Sequence, residues 1–210
     1  MRLPCKFYLY DEVVVHNEVT DFWVVIHGNV LNLSQMLLDR ADSWNQKLDY
    51  LYAFGGKDLS KFFHRNGMPR TEISPVTGKE RVIFYPIQEV AKSEHLKTPG
   101  RIWSRDPKYH IGRLTKQERR LRIINTLTGT TQLMKVCEED TIYTIQEKYK
   151  KMYNSHAGSY YWRKDYKDGT VSGRLNLDKT LSENCIFNEK YGIGPPPAIW
   201  LFYRDDLTIA

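Results

Sequence analysis

Cysteine is scarce in this chain: there are 3 among 210 residues, and none stands in a CxxC spacing. An odd number without that spacing excludes a fully paired disulfide framework and predicts reduced thiols in an intracellular location. No apolar run approaches the roughly 20 residues of a membrane span, and the N-terminus lacks the apolar core of a signal peptide. These absences predict a cytosolic chain or a subunit of an intracellular assembly, with no membrane partner.

Charge of either sign is not concentrated in one place. The chain carries 31 Lys and Arg against 25 Asp and Glu, a net charge of +6, which suits contact with nucleic acid, an anionic membrane or an acidic protein surface. The densest basic cluster, residues 116–120, is typical of a solvated lead-in to a strand, so no nucleic-acid partner is predicted. The 14 tyrosines and 5 tryptophans exceed what two small cores need, which predicts rings at partner surfaces.

The N-terminal half alternates strands and short helices. Residues 22–26 and 30–33 are apolar and β-rich, and His27-Gly28-Asn29 between them supplies turn chemistry, so a β-hairpin is predicted. Ser34 is predicted to N-cap a helix through residues 35–38. Residues 58–64 are predicted to form another short helix.

Positions spaced through residues 7–68 resemble the cytochrome b5 family. Those that fall on the family pattern Y-x-x-x-E-[VI]-x-x-H-N…W…[GH]-x-V-[YL]-[DN]-[LV]-[TS] are Tyr8, Glu12, Val13, His16, Asn17, Trp23, Gly28, Val30, Leu33 and Ser34. Gly55-Gly56-x-Asp58 and Phe62 resemble the family's A-G-G-x-D-A-T…F block. The resemblance implies an N-terminal cytochrome b5-like domain.

One departure from that family concerns its cofactor, haem b. The family holds haem between two histidines, the first within H-P-G-G, but this chain reads L-D-R-A-D at residues 38–42 and has no histidine between His27 and His64. The usual first axial histidine is therefore absent. His64 is the candidate haem-binding residue and iron ligand, with an open sixth position, Met36 or a tyrosine opposite it. The alternative is that His64 is an exposed helix-end residue favoured by the helix dipole.

The remaining histidines are predicted to be structural. His16 and His27 lie near a helix end and on a turn, and His95 and His110 have no spaced metal partner. Ser155-His156 has no third group or oxyanion motif beside it, so it is predicted to be a loop anchored by side-chain hydrogen bonds. No catalytic residue and no enzyme activity are predicted.

The C-terminal half shows a different order of elements. Strands are predicted at 121–127, 132–136, 159–163 and 198–203, with a helix carrying Ile142, Ile145, Tyr149 and Met152 after the second and a short turn at 181–186 before the last. The order ββαββ is that of a ubiquitin-like β-grasp. The fold class is therefore α+β: a cytochrome b5-like domain at 1–70, a linker with a small hairpin at 71–112, and a β-grasp domain at 113–210.

Two blocks in this half extend the resemblance to nearly the whole chain. Asn154-Ser155-His156-Ala157 and Asp205-Asp206-Leu207-Thr208 are similar to blocks of the cytochrome b5 domain-containing protein 1 family. That resemblance implies a non-enzymatic, haem-binding structural component of the motile cilium or flagellum. It implies an axonemal location, radial spoke proteins as partners and a role in coordinated beating. The alternative is a haem-binding redox or sensor module of the cytochrome b5 type.

Overall fold

The chain combines short helices with mostly antiparallel strands in a mixed α+β fold, and it divides into two units, Met1–Leu114 (unit 1) and Thr115–Ala210 (unit 2). The computed structural model describes residues 6–39, 52–83, 103–165, 171–187 and 194–204. Four features of the sequence lie outside these ranges: Cys5, the segment 40–42, His95, and the block 205–208. Within the ranges, no helix has both the length and the apolar character needed to cross a membrane.

Unit 1 is built on a five-stranded sheet with a separate two-stranded hairpin. Its strands are β1 (Phe7–Tyr8), β2 (Asn17–Glu18), β3 (Asp21–Ile26), β4 (Asn29–Asn32), β5 (Thr71–Ile73), β6 (Glu80–Val82) and β7 (His110–Leu114), and its described α-helices are α1 (Tyr10–Val14) and α2 (Ser34–Leu38). The large sheet has the order β1-β7-β4-β3-β2. The pair β5 and β6 is the small hairpin that the sequence predicts.

The predicted hairpin of β3 and β4 is confirmed, and its turn is tighter than the sequence indicates. Only His27 and Gly28 lie between the strands, and both have positive φ, 48° and 77°. Two residues with positive φ form the turn whose twist matches that of the flanking strands. The predicted N-cap residue Ser34 is instead the first residue of α2, and Leu33 holds the cap position. The Ser34 hydroxyl accepts a hydrogen bond from the Phe22 amide at 2.8 Å and does not cap the helix.

The structure places β7 in unit 1, whereas the sequence assigns residues 71–112 to a linker and 113–114 to the C-terminal domain. Strand β7 pairs in parallel with β1, where Phe7 lies opposite Arg113, and antiparallel with β4, where Val30 lies opposite Gly112. A five-residue strand containing glycine gives a weak local signal, and this one is specified by the two strands that it joins. Residues 110–114 are thus an inner strand of the first sheet.

Unit 2 carries a second five-stranded sheet with a helix on one face. Its elements are β8 (Glu118–Asn125), β9 (Thr130–Cys137), α3 (Ile142–Met152), β10 (Tyr160–Asp165), β11 (Val171–Arg174) and β12 (Ala198–Tyr203). The sheet order is β11-β10-β12-β8-β9, and β12 lies parallel to β8 in the middle while the other pairs are antiparallel. This is the strand order expected of a β-grasp.

Strand β11 is missing from the predicted ββαββ order, which has no strand between residues 163 and 198. The strand exists because it pairs with β10, with Arg163 opposite Arg174. A four-residue edge strand that contains glycine carries little periodicity of its own. The complete order is therefore ββαβββ.

Helix α3 covers the sheet with the face that its sequence predicts. The Thr141 hydroxyl caps it by accepting from the Thr144 amide at 3.2 Å, and Ile142, Ile145 and Tyr149 are buried in the core of unit 2. Met152, the last residue of the helix, lies outside that core and is 55% exposed. The helical spacing thus identifies three of its four predicted core positions.

Candidate functional site

The Gly-Gly-x-Asp block of unit 1 lies against β3 and fixes the segment that leads to His64. The Gly56 amide donates to the Trp23 carbonyl at 2.7 Å, and the Leu59 amide to the Val25 carbonyl at 2.8 Å. Asp58 accepts hydrogen bonds from the backbone and hydroxyl of Ser60, which begins the 3-10 turn Ser60–Phe62. The block therefore works as a backbone clamp.

Both glycines of this clamp are required by close backbone approach. A Cβ on Gly55 would lie 2.7 Å from the Asn17 Cα, and one on Gly56 would lie 2.6 Å from the Val14 carbonyl oxygen. Gly56 also has a φ of +69°, which strains any residue with a side chain. The motif thus has a structural explanation that needs no cofactor.

The core next to the clamp is filled by protein side chains. Its buried members come from β3, β4, α2, the clamp and a distant segment: Phe22, Val24, Ile26, Leu31, Leu33, Met36, Leu37, Leu59, Phe63, Trp103 and Tyr109. The Phe63 and Trp103 rings meet edge to face with centroids 5.7 Å apart. Trp103 and Tyr109 thus pack residues 103–109 onto the core of unit 1.

His64, the predicted haem ligand, lies on an exposed turn just beyond this core. Its amide donates to the Met68 carbonyl at 2.7 Å, and its carbonyl accepts from the Gly67 amide at 2.8 Å. Met36, a predicted partner ligand, is buried in the core and also lines a cavity of about 450 Å³ that His64 does not line. Ligation by His64 stays a prediction.

The other described histidines of unit 1 are engaged with protein groups. His16 Nδ1 lies 2.6 Å from an Asp21 carboxylate oxygen, and its ring stacks on Trp23 with centroids 3.5 Å apart. His27 Nε2 lies 3.1 Å from the Phe63 carbonyl oxygen.

His110 Nε2 likewise lies 3.1 Å from the Ser104 carbonyl oxygen. Across the described ranges, no group of three or more His, Cys, Asp and Glu residues is placed to hold a metal ion. His16, His27 and His110 thus each hold a ring nitrogen within hydrogen-bond distance of a protein oxygen atom.

The Ser155-His156 pair of unit 2 is part of a turn. Ser155 Oγ and His156 Nδ1 lie 3.2 Å apart on the surface, and the His156 amide donates to the Asn154 side-chain oxygen at 3.0 Å. The adjacent Ala157 carbonyl is buried and accepts from Gln146 Nε2 at 3.1 Å. These contacts agree with the predicted loop anchored by side-chain hydrogen bonds.

Sequence reasoning misses a buried charged network at the start of β8. Residues 118–120 of the predicted solvated lead-in belong to β8, and Arg119 among them is only 3% exposed. Its guanidinium donates to Glu138 at 2.5 Å and to the Ile186 carbonyl at 2.9 Å, and the Ser182 hydroxyl donates to Glu138 at 2.5 Å. The sequence does indicate that Arg119 faces the core, because it alternates along the strand with the apolar residues Leu121 and Ile123.

This network sets the protonation of its carboxylate. Burial alone would raise the pKa of Glu138, but the hydrogen bonds from Ser182 and Arg119 and the Arg119 charge together hold that pKa below its ordinary value of 4.5. Glu138 is thus kept ionised beside its arginine. The network joins β8 and β9 to the turn at 181–185, so it stabilises the fold and has no free catalytic group.

A second buried polar group lies at the end of β9. Asp140, 4% exposed, accepts from the Cys137 amide at 3.1 Å and from Lys148 Nζ at 2.9 Å. Lys148 Nζ also lies 3.9 Å from Cys137 Sγ. These contacts connect the strand end to α3, and they leave the cysteine fully buried.

Comparison with solved structures gives only low overall similarity. The C-terminal ubiquitin-like domain of mouse tubulin-specific chaperone e matches with a TM-score of 0.32 at 9% identity, over 41% of this chain and 87% of that one. Cytochrome b5 of Ostreococcus tauri virus 2 matches with a TM-score of 0.27 at 18% identity, over 51% of this chain and 95% of that one. Because the TM-scores are low, the fold description rests on strand order and register.

Comparison with curated proteins is more decisive, although no protein-family model matches the chain. The Xenopus tropicalis protein named cytochrome b5 domain-containing protein 1 is 34% identical to this chain, over 97% of this chain and 96% of that protein. The human protein of that name is 32% identical, over 97% of this chain and 92% of its own length. Since this similarity extends through both units, the chain belongs to the cytochrome b5 domain-containing protein 1 family.

Proposed function

We propose that this chain is a non-enzymatic structural component of the motile-cilium axoneme, associated with radial spoke proteins and supporting coordinated ciliary beating. The observation that carries the proposal is the match along 97% of the chain to relatives of one name. A chain that keeps a cytochrome b5-like unit and a ubiquitin-like β-grasp unit together is suited to present two surfaces within one assembly.

The use of polar side chains supports the non-enzymatic part of this proposal. Asp58 and Asn154 bind backbone amides in turns, Glu138 binds Arg119 and Ser182, and Asp140 binds Lys148. Each of these groups has a stabilising role, whereas a catalytic group needs an open side facing substrate. The basic net charge of +6 also suits docking to acidic surfaces.

The second candidate, a haem-binding redox or sensor module, is supported by the cytochrome b5 name of the relatives. Against it stand the histidine positions, because electron transfer favours an iron held between two fixed ligands. The proposed structural role needs no haem. The two functions are separated by the haem titration described in the Discussion.

The test of the proposed function is fractionation of cilia that carry a tagged copy of the chain. We expect the tagged chain to stay with axonemes after detergent extraction, and to be lost from axonemes that lack radial spokes. The matched control is the same tag on a chain with the exposed-turn substitution Ser155→Ala, which should fractionate like the parent. Release of the parent chain with detergent, or its retention without radial spokes, would contradict the proposal.

A further inference from the structure

The sheet of unit 2 bears aromatic and arginine side chains on the side away from α3. Trp162, Ile199 and Leu201 point into the core with α3, so the residues between them face the opposite side. We call this opposite side the arginine–aromatic face, formed by Tyr161, Arg163, Arg174, Trp200, Phe202 and Arg204. Strand pairing sets Tyr161 opposite Phe202, and Arg163 opposite both Trp200 and Arg174.

The arginines of this face lie over its rings. Arg174 Cζ is 3.4 Å and Arg204 Cζ is 5.5 Å from the centroid of Tyr161, and Arg163 Cζ is 5.2 Å from that of Phe202. Stacking holds a guanidinium by its flat side and leaves its edge N–H groups for another acceptor. The rings thus preorganise the arginines.

Among the described side chains, Arg163, Arg174 and Arg204 have no acidic neighbour of the kind that other arginines have. Arg119 pairs with Glu138 and Arg81 with Glu72. No carboxylate among the described side chains lies within salt-bridge distance of Arg163, Arg174 or Arg204. The positive charge of the face is therefore uncompensated by those side chains.

The same face also carries two buried donor atoms without an acceptor. The Nε of Arg163 and the indole Nε1 of Trp200 are buried without a hydrogen-bond acceptor. A buried donor without an acceptor is costly, so this side of the sheet carries polar groups that the chain itself leaves unsatisfied. The face combines half-buried rings with unpaired donors, a combination enriched at protein interfaces.

We propose that the arginine–aromatic face binds an acidic peptide segment of a partner protein, with its carboxylates held by the guanidinium edges of Arg163, Arg174 and Arg204. The planar guanidinium accepts a carboxylate through two parallel hydrogen bonds. Nucleic acid fits less well because bases need open ring faces, and arginines already cover Tyr161 and Phe202. This surface rests on the proposed function in one respect only: that function says which protein supplies the acidic segment.

The test is binding of a fluorescein-labelled oligoglutamate peptide to the full chain, followed by fluorescence anisotropy at low and raised ionic strength. We expect saturable binding that weakens with salt. The double substitution Arg174→Ala and Arg204→Ala should weaken it about tenfold or more. Both side chains are exposed, so the variant should keep the parent's thermal unfolding curve.

Two further variants make the result specific. Lys151→Ala removes one charge from an exposed position of α3 and should change the affinity less than twofold, as a marginal surface effect. Arg174→Lys keeps the charge but loses the two-pronged geometry, so it should still weaken binding.

Three results would overturn the proposal: no saturable binding, equal loss in Lys151→Ala, or tighter binding of an oligothymidylate of matched charge through the same arginines. Axonemal fractionation is scored separately. Peptide binding without axonemal retention would leave this face standing and remove the ciliary role. If the chain with Arg174→Ala and Arg204→Ala stays with axonemes and the parent chain does not bind the peptide, the ciliary role stands and the proposed peptide site is wrong.

Discussion

The two units differ in the polar groups that they bury. Within the described residues, the buried polar residues of unit 1 are Ser34, Ser74 and Ser104, whereas those of unit 2 carry charged or amide side chains: Arg119, Asn125, Asp140 and Gln146. A hydroxyl is satisfied by one or two hydrogen bonds, but a buried charge needs a partner of opposite sign as well. Unit 2 therefore depends on specific polar pairs, and unit 1 depends on backbone approach and apolar packing.

The first prediction tests whether the units are independent, and it has the largest expected effect. Removing residues 198–210 deletes β12 from the middle of the second sheet and leaves β8 and β10 each with an unpaired edge. We expect calorimetry to show complete loss of the unfolding transition of unit 2, with that of unit 1 kept. A fragment of residues 115–210 supplies the reference transition. Persistence of both transitions in the shortened chain would refute this.

The second prediction concerns the charged network of unit 2. Arg119→Met leaves Glu138, Ser182 and the Ile186 carbonyl without their shared donor, and it should lower the free energy of unfolding by about 4 kcal/mol. Arg120→Met on the exposed side of the same strand is the matched control, expected within about 0.5 kcal/mol of the parent. Urea unfolding measures both. If Arg119→Met and Arg120→Met lower the free energy of unfolding equally, the buried network contributes no more to stability than an exposed arginine does.

The third prediction addresses the backbone clamp of unit 1. Gly56→Ala places a methyl against the Val14 carbonyl at a positive φ and should destabilise unit 1 by about 3 kcal/mol. Gly28→Ala is the control, because Gly28 has a φ of +77° but open space around it, and it should cost only about 1.5 kcal/mol. The difference between the two isolates close approach from backbone strain. If Gly56→Ala and Gly28→Ala lower the free energy of unfolding equally, close backbone approach does not explain the glycine at position 56.

The fourth prediction is a pH dependence confined to unit 2. Because the pKa of Glu138 is lowered in the folded state, its stabilisation is complete above the ordinary value of 4.5 and is lost as pH falls through the lowered pKa. Glu138→Gln should flatten the stability of unit 2 across that range. Hydrogen bonds from the Thr180 backbone and side chain also lower the pKa of exposed Glu183, so Glu183→Gln is the control for an exposed carboxylate. An unchanged acid profile in Glu138→Gln would contradict the assignment.

The fifth prediction has the smallest effect on stability and concerns haem. His64→Ala removes an exposed side chain and should change the free energy of unfolding by less than about 0.5 kcal/mol. We expect haem titration of the parent chain to give no spectrum of an iron between two histidines. Any saturable Soret shift should disappear in His64→Ala, with His110→Ala as the histidine control. A shift that survives His64→Ala would place the ligand elsewhere.

Local pattern predicted the elements that are specified by neighbouring residues. The hairpin of β3 and β4 follows from a turn dipeptide between apolar runs, and α3 follows from the spacing of Ile142, Ile145 and Tyr149. The anchored turn at Asn154 follows from side chains that bind nearby amides. Each of these signals lies within a few residues of the feature that it specifies.

The features that were missed are specified by distant residues. Strands β7 and β11 depend on partners elsewhere in the sheet, and Arg119 is buried because Glu138 and the Ile186 carbonyl are brought to it by the fold. For the candidate site, the glycine block was found from its motif, but its role as a clamp required the positions of Asn17 and Val14. The face that carries the proposed peptide site is visible only once strands β10, β11 and β12 are aligned.

The position of β7 has a consequence for the order in which the chain folds during synthesis. The strand that separates β1 from β4 leaves the ribosome about eighty residues after β4, a span set by its place at His110–Leu114. The first sheet therefore cannot close while only the segment resembling cytochrome b5 has emerged. A nascent chain that stalls before residue 114 keeps β4 as an open edge, which exposes it to pairing with other chains. Completion of the first unit thus comes just before the first strand of the second, β8, leaves the ribosome.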